Sequence, residues 1–450
     1  MWRIIVIRPR ATVLALTALA VTGCSAGAVT TKPVPTWQNS EVNLVSKTYG
    51  AGGVTAATSM RPDGALETVA LETATGKRLW TAPAGMAGRL PGMGVQAPAV
   101  LESKGQTIVS AVEPIKQGKW RAMLITREAR TGRRLWSRPV HSTFGPQRCG
   151  ALLCLSEHTA LSAARFVALD PLTGKALWRL PGIAEVQWAD PTRVVVFRLA
   201  KHPVLAAHRL TDGKTIWRLP VEQAVGAGVN LAGGWAFGAV GDDLIGYIAP
   251  YTNPRTRRVS TFGLFSARLA DGGINWMRPA VVRVYPSGSP AVAPIVRPVD
   301  RQGQYGGFAR LDARSGRVLG QITAQQVPAE TGWWLAFPHN LDRLGFLRHG
   351  AAGNTYDLAS GQAAPVKDQR GWSFCVTDPK PLQIVGASPG FYPPAALCEY
   401  DLATGKRTAG GGAPPAWFTG SDGEWRLWRD EKGGLHAIKD ASAPSPGMYG

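Results

Sequence analysis

The chain has 450 residues and a formal net charge of +20. This length exceeds the usual size of a domain with a single hydrophobic core, so the chain needs either several cores or an array of repeating units. The charge alone would suit a nucleic-acid-binding protein, but the export signal described next argues against DNA as the partner. For an exported protein, the positive charge predicts attraction to anionic lipid heads and acidic wall polymers.

The first 24 residues carry the pattern of a bacterial export signal. Three arginines accompany an apolar run over residues 11–21, and the run ends in Val21-Thr22-Gly23-Cys24. The run is far shorter than the roughly 20 residues that cross a bilayer, which argues against a membrane-spanning helix. The tetrapeptide resembles the lipobox, in which the cysteine receives a diacylglycerol. We therefore predict a signal peptide over residues 1–23 and a lipid on Cys24; a plain signal peptide with an incidental cysteine is the alternative.

Residues 24–40 are mostly small or polar and include two prolines and three threonines, a composition typical of a flexible tether. No second apolar stretch of spanning length follows. We therefore predict one folded domain over residues 41–445, monomeric and held by its lipid at the extracytoplasmic face of the cell membrane.

A turn signature recurs along most of the remaining chain. Its complete form, Ala-Leu-Asp followed by Thr-Gly-Lys-Ala-Leu-Trp, occupies residues 168–178. Each turn glycine follows a Thr, Asp or Ser. These short side chains can form hydrogen bonds with the turn backbone. Because glycine adopts the positive φ that a tight hairpin needs, each copy predicts two strands joined by a hairpin, and intervals of 39 to 59 residues predict an array of similar units. The turn glycines are Gly76, Gly132, Gly174, Gly213, Gly272, Gly316, Gly361 and Gly405.

Five copies carry a tryptophan four residues after the turn glycine. A large flat ring that recurs once per unit is best explained as a wedge between neighbouring sheets, where it buries on the order of 200 Å². We therefore predict that these tryptophans dock one unit onto the next; a row of ligand-binding aromatic residues is the alternative. The docking residues are Trp80, Trp136, Trp178, Trp217 and Trp276, and the last three copies have Gly320, Pro365 and Ala409 instead.

The two longest intervals between turn glycines contain extra residues that combine aromatic and basic side chains. Insertions in repeat proteins lie mostly on one face and often bind, and aromatic residues with arginine are enriched in interface hot spots. Solvated hairpin tips are the alternative. The candidate partner-binding residues are Lys116, Lys119, Trp120 and Arg121 in the first insertion and Tyr251, Arg255, Arg257 and Arg258 in the second.

Four cysteines remain besides Cys24, and in an exported protein we expect them to form disulfides. Pairing neighbours in sequence gives Cys149 with Cys154 across a tight hairpin and Cys375 with Cys398 within one unit, whereas the other two connectivities would join distant units. The spacing does not match a zinc site. We therefore predict two disulfides and no metal.

The turn glycines and the tryptophans that follow them resemble the tryptophan-docking repeat of quinoprotein-type β-propellers, named after enzymes that use pyrroloquinoline quinone (PQQ). The resemblance covers roughly residues 50 to 410, and only the copy around Gly174 is complete. It implies an all-β fold, a propeller of four-stranded antiparallel blades. Eight turns favour eight blades, with seven or nine left open. We expect a strand near residues 41–47 to complete the last sheet, which residues 416–440 begin.

In the quinoprotein dehydrogenases of this family, the cofactor lies on the propeller axis against a disulfide between adjacent cysteines, beside calcium held by carboxylate and amide side chains. This sequence has neither a Cys-Cys pair nor a Cys-x-x-Cys-His haem motif. Because the cofactor carries the chemistry in such enzymes, we predict no cofactor and no catalytic residue.

These features together predict a non-catalytic, lipid-anchored propeller that acts as a protein-interaction scaffold in the cell envelope. The resemblance supports this role, because the family includes a lipoprotein scaffold of the outer-membrane protein assembly machinery. One alternative is a small-ligand sensor or PQQ-type oxidoreductase, which convergent acids and amides in the central funnel would favour. The other is adhesion to anionic wall polymers or membrane through the basic surface.

Overall fold

The computed structural model of the chain is almost entirely β within the residues that it describes. The described residues are 35–86, 95–115, 121–141, 143–160, 163–285, 295–298, 306–327, 333–338, 343–348, 351–357, 360–364, 370–374, 397–407, 416–430 and 432–439. The predicted signal peptide and Cys24 lie outside these ranges.

After strand β1 (Thr36–Asn39), six blades follow one another, each a four-stranded antiparallel sheet whose strands lie in chain order. Blade 1 comprises β2 (Tyr49–Ala51), β3 (Val54–Met60), β4 (Leu66–Glu72) and β5 (Arg78–Pro83), and blade 2 comprises β6 (Ala99–Ser103), β7 (Gln106–Pro114), β8 (Ala122–Glu128) and β9 (Arg134–Val140). Blade 3 comprises β10 (Thr143–Cys149), β11 (Leu152–Ala160), β12 (Ala163–Leu169) and β13 (Ala176–Pro181), and blade 4 comprises β14 (Ala184–Ala189), β15 (Arg193–Arg198), β16 (Val204–Arg209) and β17 (Thr215–Pro220).

Blade 5 is preceded by the short helix α1 (Val221–Val225) and a 3₁₀ turn (Leu231–Gly233), and another 3₁₀ turn (Ala324–Gln326) follows blade 6. Blade 5 comprises β18 (Trp235–Val240), β19 (Asp243–Ile248), β20 (Gly263–Arg268) and β21 (Ile274–Pro279), and blade 6 comprises β22 (Val281–Tyr285), β23 (Ile295–Pro298), β24 (Phe308–Leu311) and β25 (Val318–Ile322).

The remaining strands join β1 in one eleven-stranded sheet, in the order β1-β35-β34-β33-β31-β30-β26-β27-β28-β29 with β32 beside β31. They are β26 (Trp333–Pro338), β27 (Arg343–Arg348), β28 (Ala351–Asp357), β29 (Ala363–Ala364), β30 (Arg370–Phe374), β31 (Leu397–Asp401), β32 (Lys406–Arg407), β33 (Ala416–Asp422), β34 (Trp425–Asp430) and β35 (Leu435–Lys439). The predicted all-β propeller with four-stranded antiparallel blades is confirmed. Because the last strands form one continuous sheet, the number eight stays a prediction.

The ring closes through β1, which pairs with β35 and places Trp37 opposite Ala437. Our prediction that residues 41–47 supply the closing strand was therefore wrong, and β1 lies within the segment that we assigned to the tether. The reason is Trp37, whose indole N–H donates to the backbone oxygen of Thr73 at 2.9 Å and whose ring covers Gly76. This tryptophan docks the closing sheet onto blade 1, and the following residues Val42 and Leu44 are buried in the core.

The same contact recurs at five further seams. In each, the indole N–H donates to the backbone oxygen of the residue three positions before the next turn glycine, at 2.7 to 3.0 Å. Glycine is required at this turn position for two reasons. Its φ is positive, and a Cβ on Gly213, for example, would lie 2.7 Å from the Trp178 ring. The pairs are Trp80 with Ala129, Trp136 with Pro171, Trp178 with Leu210, Trp217 with Leu269, and Trp276 with Ala313.

A polar clamp reinforces the seam between blades 4 and 5. Arg193 donates to the carboxylate of Asp190 at 2.7 Å and to the backbone oxygen of Leu269 at 2.7 Å. Partial burial by itself raises the pKa of Asp190, but hydrogen bonds from Arg193 and Thr192 outweigh it and hold that pKa at about 2. The carboxylate is therefore charged at neutral pH and fixes the arginine that joins the two blades.

The direction of the strands defines two faces of the ring. The first strands of neighbouring blades contact one another and so lie nearest the axis. Because successive strands are antiparallel, turns between the first and second and between the third and fourth strands share one face, which we call the motif face since it carries the turn glycines. The second-to-third loops and the links between blades lie on the other, which we call the insertion face.

The described cysteines lie on these strands as follows. Cys149 and Cys154 form a disulfide across the turn between β10 and β11, on the motif face, with their Cα atoms 5.9 Å apart. Both are fully buried in the core between blades 3 and 4. Cys398 lies on β31. Cys375 lies outside the described residues, so the predicted disulfide between these two cysteines stays a prediction.

Candidate protein-interaction face

Blade 5 has the longest second-to-third loop of the four-stranded blades in the described part of the chain, and this loop lies on the insertion face. Its second and third strands are joined by an extended hairpin, residues 249–261, which we call the blade 5 hairpin. The hairpin rests on the segment that links blade 4 to blade 5: the backbone N–H of Thr261 donates to the oxygen of Gly228 at 3.1 Å, and Val229 forms a β-bridge with Thr261. The blade 5 hairpin and this linking segment therefore support each other.

Backbone hydrogen bonds order the hairpin up to its tip. Ser260 N–H donates to the oxygen of Tyr251 at 2.8 Å, and Arg257 N–H donates to the oxygen of Asn253 at 2.8 Å. The side-chain oxygen of Asn253 accepts from the backbone N–H groups of Arg255 and Thr256, at 2.9 and 3.1 Å, as asparagine does in turns. The backbone of the tip is thus a turn that hydrogen bonds define.

Three exposed arginines, Arg255, Arg257 and Arg258, project from this tip. None of them forms an ion pair with a residue that the structure describes. Arg257 has a φ of 58°, a left-handed conformation that is uncommon for residues other than glycine and that recurs at functional sites. Val259 beside them is 52% exposed. Unpaired cations with an apolar flank on an ordered support match the composition of a partner-binding surface.

Two of the other predicted partner-binding residues are described, and both lie on the same face. Arg121 is exposed immediately before β8, in the second-to-third loop of blade 2, whereas Lys116, Lys119 and Trp120 lie outside the described residues. Tyr251 is half-buried at the base of the blade 5 hairpin. The structure therefore places Arg121 and Tyr251, one described residue from each insertion, on one face.

Sequence reasoning missed a group of polar side chains near the axis. Glu185 on β14 has the indole of Trp235 and the amide of Gln187 beside it and is attracted by Lys47. Desolvation by the surrounding protein raises the pKa of Glu185, which is half-buried, and lowers that of Lys47, which is exposed. No sequence motif marks these residues, because they come from three blades and are far apart in the chain. The only feature that they share in the sequence is a position near the start of the first strand of a blade.

Other chemistry is sparse in the described part of the chain. No cluster of three or more His, Cys, Asp or Glu side chains there could hold a metal ion, and no described helix has the length and apolarity to span a bilayer. A cavity of about 10 Å³ between blades 1 and 2 is lined by Thr58, Thr68 and Gln96 among others, which leaves room for about one water. This cavity is too small for an organic ligand.

Four-stranded antiparallel blades, docked onto one another by indoles that cover turn glycines, define the class of the fold: it is an all-β propeller. Residues 33–180 match the family model described as "Outer membrane protein assembly factor BamB". Among solved structures, the chain is similar to BamB from Moraxella catarrhalis, with 10% identity, a TM-score of 0.45, and coverage of 90% of this chain and 98% of that one. It is also similar to the quinohemoprotein alcohol dehydrogenase ADHIIG from Pseudomonas putida HK5, with 11% identity, a TM-score of 0.35, and coverage of 90% and 78%. No curated protein matches the sequence.

Proposed function

We propose that the protein is a non-catalytic, membrane-anchored β-propeller that acts as a protein-interaction scaffold on the extracytoplasmic side of the cell envelope. The blade 5 hairpin carries this proposal, because it is ordered by its own backbone and holds three exposed arginines without an acidic partner in the described structure. The family model matched by residues 33–180 is that of an outer-membrane assembly factor, which supports an envelope role. The anchor is a diacylglycerol on Cys24.

The partner of this surface is an envelope protein with an acidic patch. Arginine prefers carboxylates because its planar guanidinium can donate two parallel hydrogen bonds. The ordered hairpin lowers the entropic cost of binding, since little of its backbone has to be fixed. A central arginine in such an interface typically contributes about 2 kcal/mol or more.

Charge reversal of the hairpin tests the proposal against a matched control. The test variant is R255E/R257E/R258E, and the control R133E/R134E/K175E makes the same change in net charge at exposed positions on the motif face. After crosslinking in the native envelope, we expect the hairpin variant to lose its partner at least tenfold and the control to retain it. Equal retention in both variants would refute the role of the hairpin. An equal loss in both, with steep dependence on salt, would indicate adhesion to anionic polymers instead.

The anchor is tested separately with Cys24→Ser. Without the thiol no diacylglycerol can be attached, so we expect the protein to move from the membrane fraction to the soluble extracytoplasmic fraction. Retention of the variant in washed membranes would contradict lipid attachment at Cys24.

A further inference from the structure

The chain enters the ring on the motif face. β1 completes the closing sheet as its fourth strand, after β33, β34 and β35. The turn between β33 and β34 lies on the motif face, because Asp422 at the end of β33 accepts a hydrogen bond at 2.6 Å from the hydroxyl of Thr73, next to the turn glycine of blade 1. The third strand, β35, therefore ends on this face, where the N–H of Lys439 donates to the oxygen of Pro35 at 2.9 Å. Pro35, immediately before β1, thus marks the entry point.

The distance along the chain from this entry point to the predicted lipid is short. Cys24 precedes Pro35 by eleven positions. A chain of that length spans at most about 40 Å when fully extended, and about 18 Å on average when it is flexible. The strands that separate the two faces, such as β5 and β17 with six residues each, rise about 20 Å before the loops are added. A bilayer on the motif side therefore requires only an average span, whereas a bilayer on the insertion side requires a much more extended one.

The motif face also presents positive charge. In six of the eight motif turns, the residue after the turn glycine is an exposed lysine or arginine. Such cations attract anionic phospholipid head groups, and the attraction acts over about 10 Å at 0.1 M salt. The six residues are Lys77, Arg133, Lys175, Lys214, Arg317 and Lys406.

Acidic residues in two of these turns are directed into the turn itself. The carboxylate of Glu128 accepts from the backbone N–H groups of Arg130 and Thr131, at 3.1 and 2.7 Å. The carboxylate of Asp170 accepts from two backbone N–H groups of its own turn, both at 2.9 Å. Both acidic residues are half-buried, whereas the cation after each glycine is exposed. The blade 5 hairpin is basic as well, so the entry point of the chain, and not the charge, decides which face meets the bilayer.

We propose that the motif face is apposed to the membrane and contacts anionic phospholipid head groups through the lysines and arginines of its turns. The insertion face, with the blade 5 hairpin, then points away from the bilayer, and its partner approaches from that side. This orientation rests on the lipid attachment at Cys24 proposed above. The contact involves exposed side chains, while turn N–H groups stay bonded within their own hairpins, as that of Gly132 does to the oxygen of Glu128 at 3.0 Å. The contact therefore leaves hydrogen exchange of these turns unchanged.

Quenching by nitroxides on lipid head groups measures which face lies near the bilayer. The full-length lipidated protein is reconstituted into vesicles of phosphatidylcholine and phosphatidylglycerol, and each variant carries one fluorescent thiol label at an exposed position. Lys77→Cys and Lys214→Cys place the label on the motif face of blades 1 and 4. Pro62→Cys and Pro254→Cys place it on the insertion face of blades 1 and 5.

The pattern of quenching distinguishes three orientations of the ring. We expect quenching at both motif-face positions to be at least threefold stronger than at both insertion-face positions. Stronger quenching on the insertion face would overturn the proposal. So would strong quenching at the two blade 1 positions alone, which indicates a ring standing on its edge, or equal quenching at all four. All variants carry Cys375→Ser and Cys398→Ser so that only the introduced thiol is labelled, and circular dichroism shows that each is folded.

Charge reversal tests the contact with the head groups. The motif-face and hairpin variants described under the proposed function make the same change in net charge on opposite faces. With labels at Lys214→Cys and Pro62→Cys, we expect the motif-face variant to lose at least half of the difference in quenching between the two faces and the hairpin variant to keep it. An unchanged difference in the motif-face variant would refute the contact.

Mass spectrometry of the N-terminal peptide reports lipid attachment independently of the quenching. If Cys24 carries no diacylglycerol, both the anchor and the orientation are wrong. If Cys24 is lipidated but quenching shows another part of the ring at the bilayer, the orientation alone is wrong, and the scaffold role is unaffected.

Discussion

Removing one docking indole should destabilise the ring by an amount that the structure defines. Trp178 is 6% exposed, its ring centroid lies 5.9 Å from that of Phe166, and it stacks on His208 at 6.4 Å. Its indole N–H donates to the backbone oxygen of Leu210 in the next blade at 2.8 Å. We expect Trp178→Ala to lower the free energy of unfolding by about 3 to 5 kcal/mol, since it loses the buried ring and leaves a cavity between blades.

Two further substitutions divide this energy into its parts. Trp178→Phe keeps an aromatic ring but leaves the oxygen of Leu210 without its donor, so it should cost about 1 to 3 kcal/mol. Leu177→Ala alters the preceding residue on the same strand, which is 44% exposed, and should cost less than about 1 kcal/mol. Urea unfolding followed by circular dichroism measures all three. If Trp178→Ala were no more destabilising than Leu177→Ala, the indole would not be holding the seam.

Three other perturbations address the turns, the polar clamp and the disulfide. Gly213→Ala should cost about 2 to 4 kcal/mol through its positive φ and its contact with the docking indole, whereas Gly64→Ala, with positive φ but open space around it, should cost about 1 kcal/mol in the same urea assay. Asp190→Ala should cost about 2 kcal/mol at neutral pH. Because folding lowers the pKa of Asp190 from 3.8 to about 2, this contribution is present above about pH 4 and should vanish as the pH falls through about 2. Urea unfolding of both proteins across that pH range measures the contribution. A difference in stability that does not change with pH would contradict the prediction. Replacing Cys149 and Cys154 by serine should lower the stability by about 2 kcal/mol through loss of the loop constraint, and an unchanged urea midpoint would argue against that contribution.

The blades were predictable because their determinants are local. A turn glycine with positive φ, a short polar residue before it and a tryptophan four residues later all lie within one hairpin, as around Gly174 and Trp178. Periodic repetition then predicts the architecture without any knowledge of long-range contacts. The six four-stranded sheets follow from this pattern.

The closing strand was not predictable in the same way. Trp37 performs the docking role, yet no turn glycine precedes it, because its partner strand β35 lies about 400 residues further along the chain. Sequence reasoning therefore placed the closing strand at residues 41–47. An unassigned tryptophan just before the first motif was the available signal.

The axial group was hidden for a related reason. Lys47, Glu185 and Trp235 come together because three first strands begin at the same end of the axis. Their sequence neighbourhoods share no motif, and the bulge that brings in Gln187 depends on the pairing of β14 with β15. The basic hairpin of blade 5, by contrast, stands out in the sequence because its residues are contiguous.

Hydrogen–deuterium exchange on the lipidated protein tests the scaffold role most directly. Exchange is measured in membranes of the native envelope and again after purification, and the two are compared peptide by peptide. We predict that residues 249–261 are protected in the envelope and become more accessible when the protein is isolated, while the motif-face turns around Gly132 and Gly174 exchange equally in both states. Equal exchange of residues 249–261 in the two states, or protection confined to the motif face, would contradict the proposal that the insertion face binds a partner.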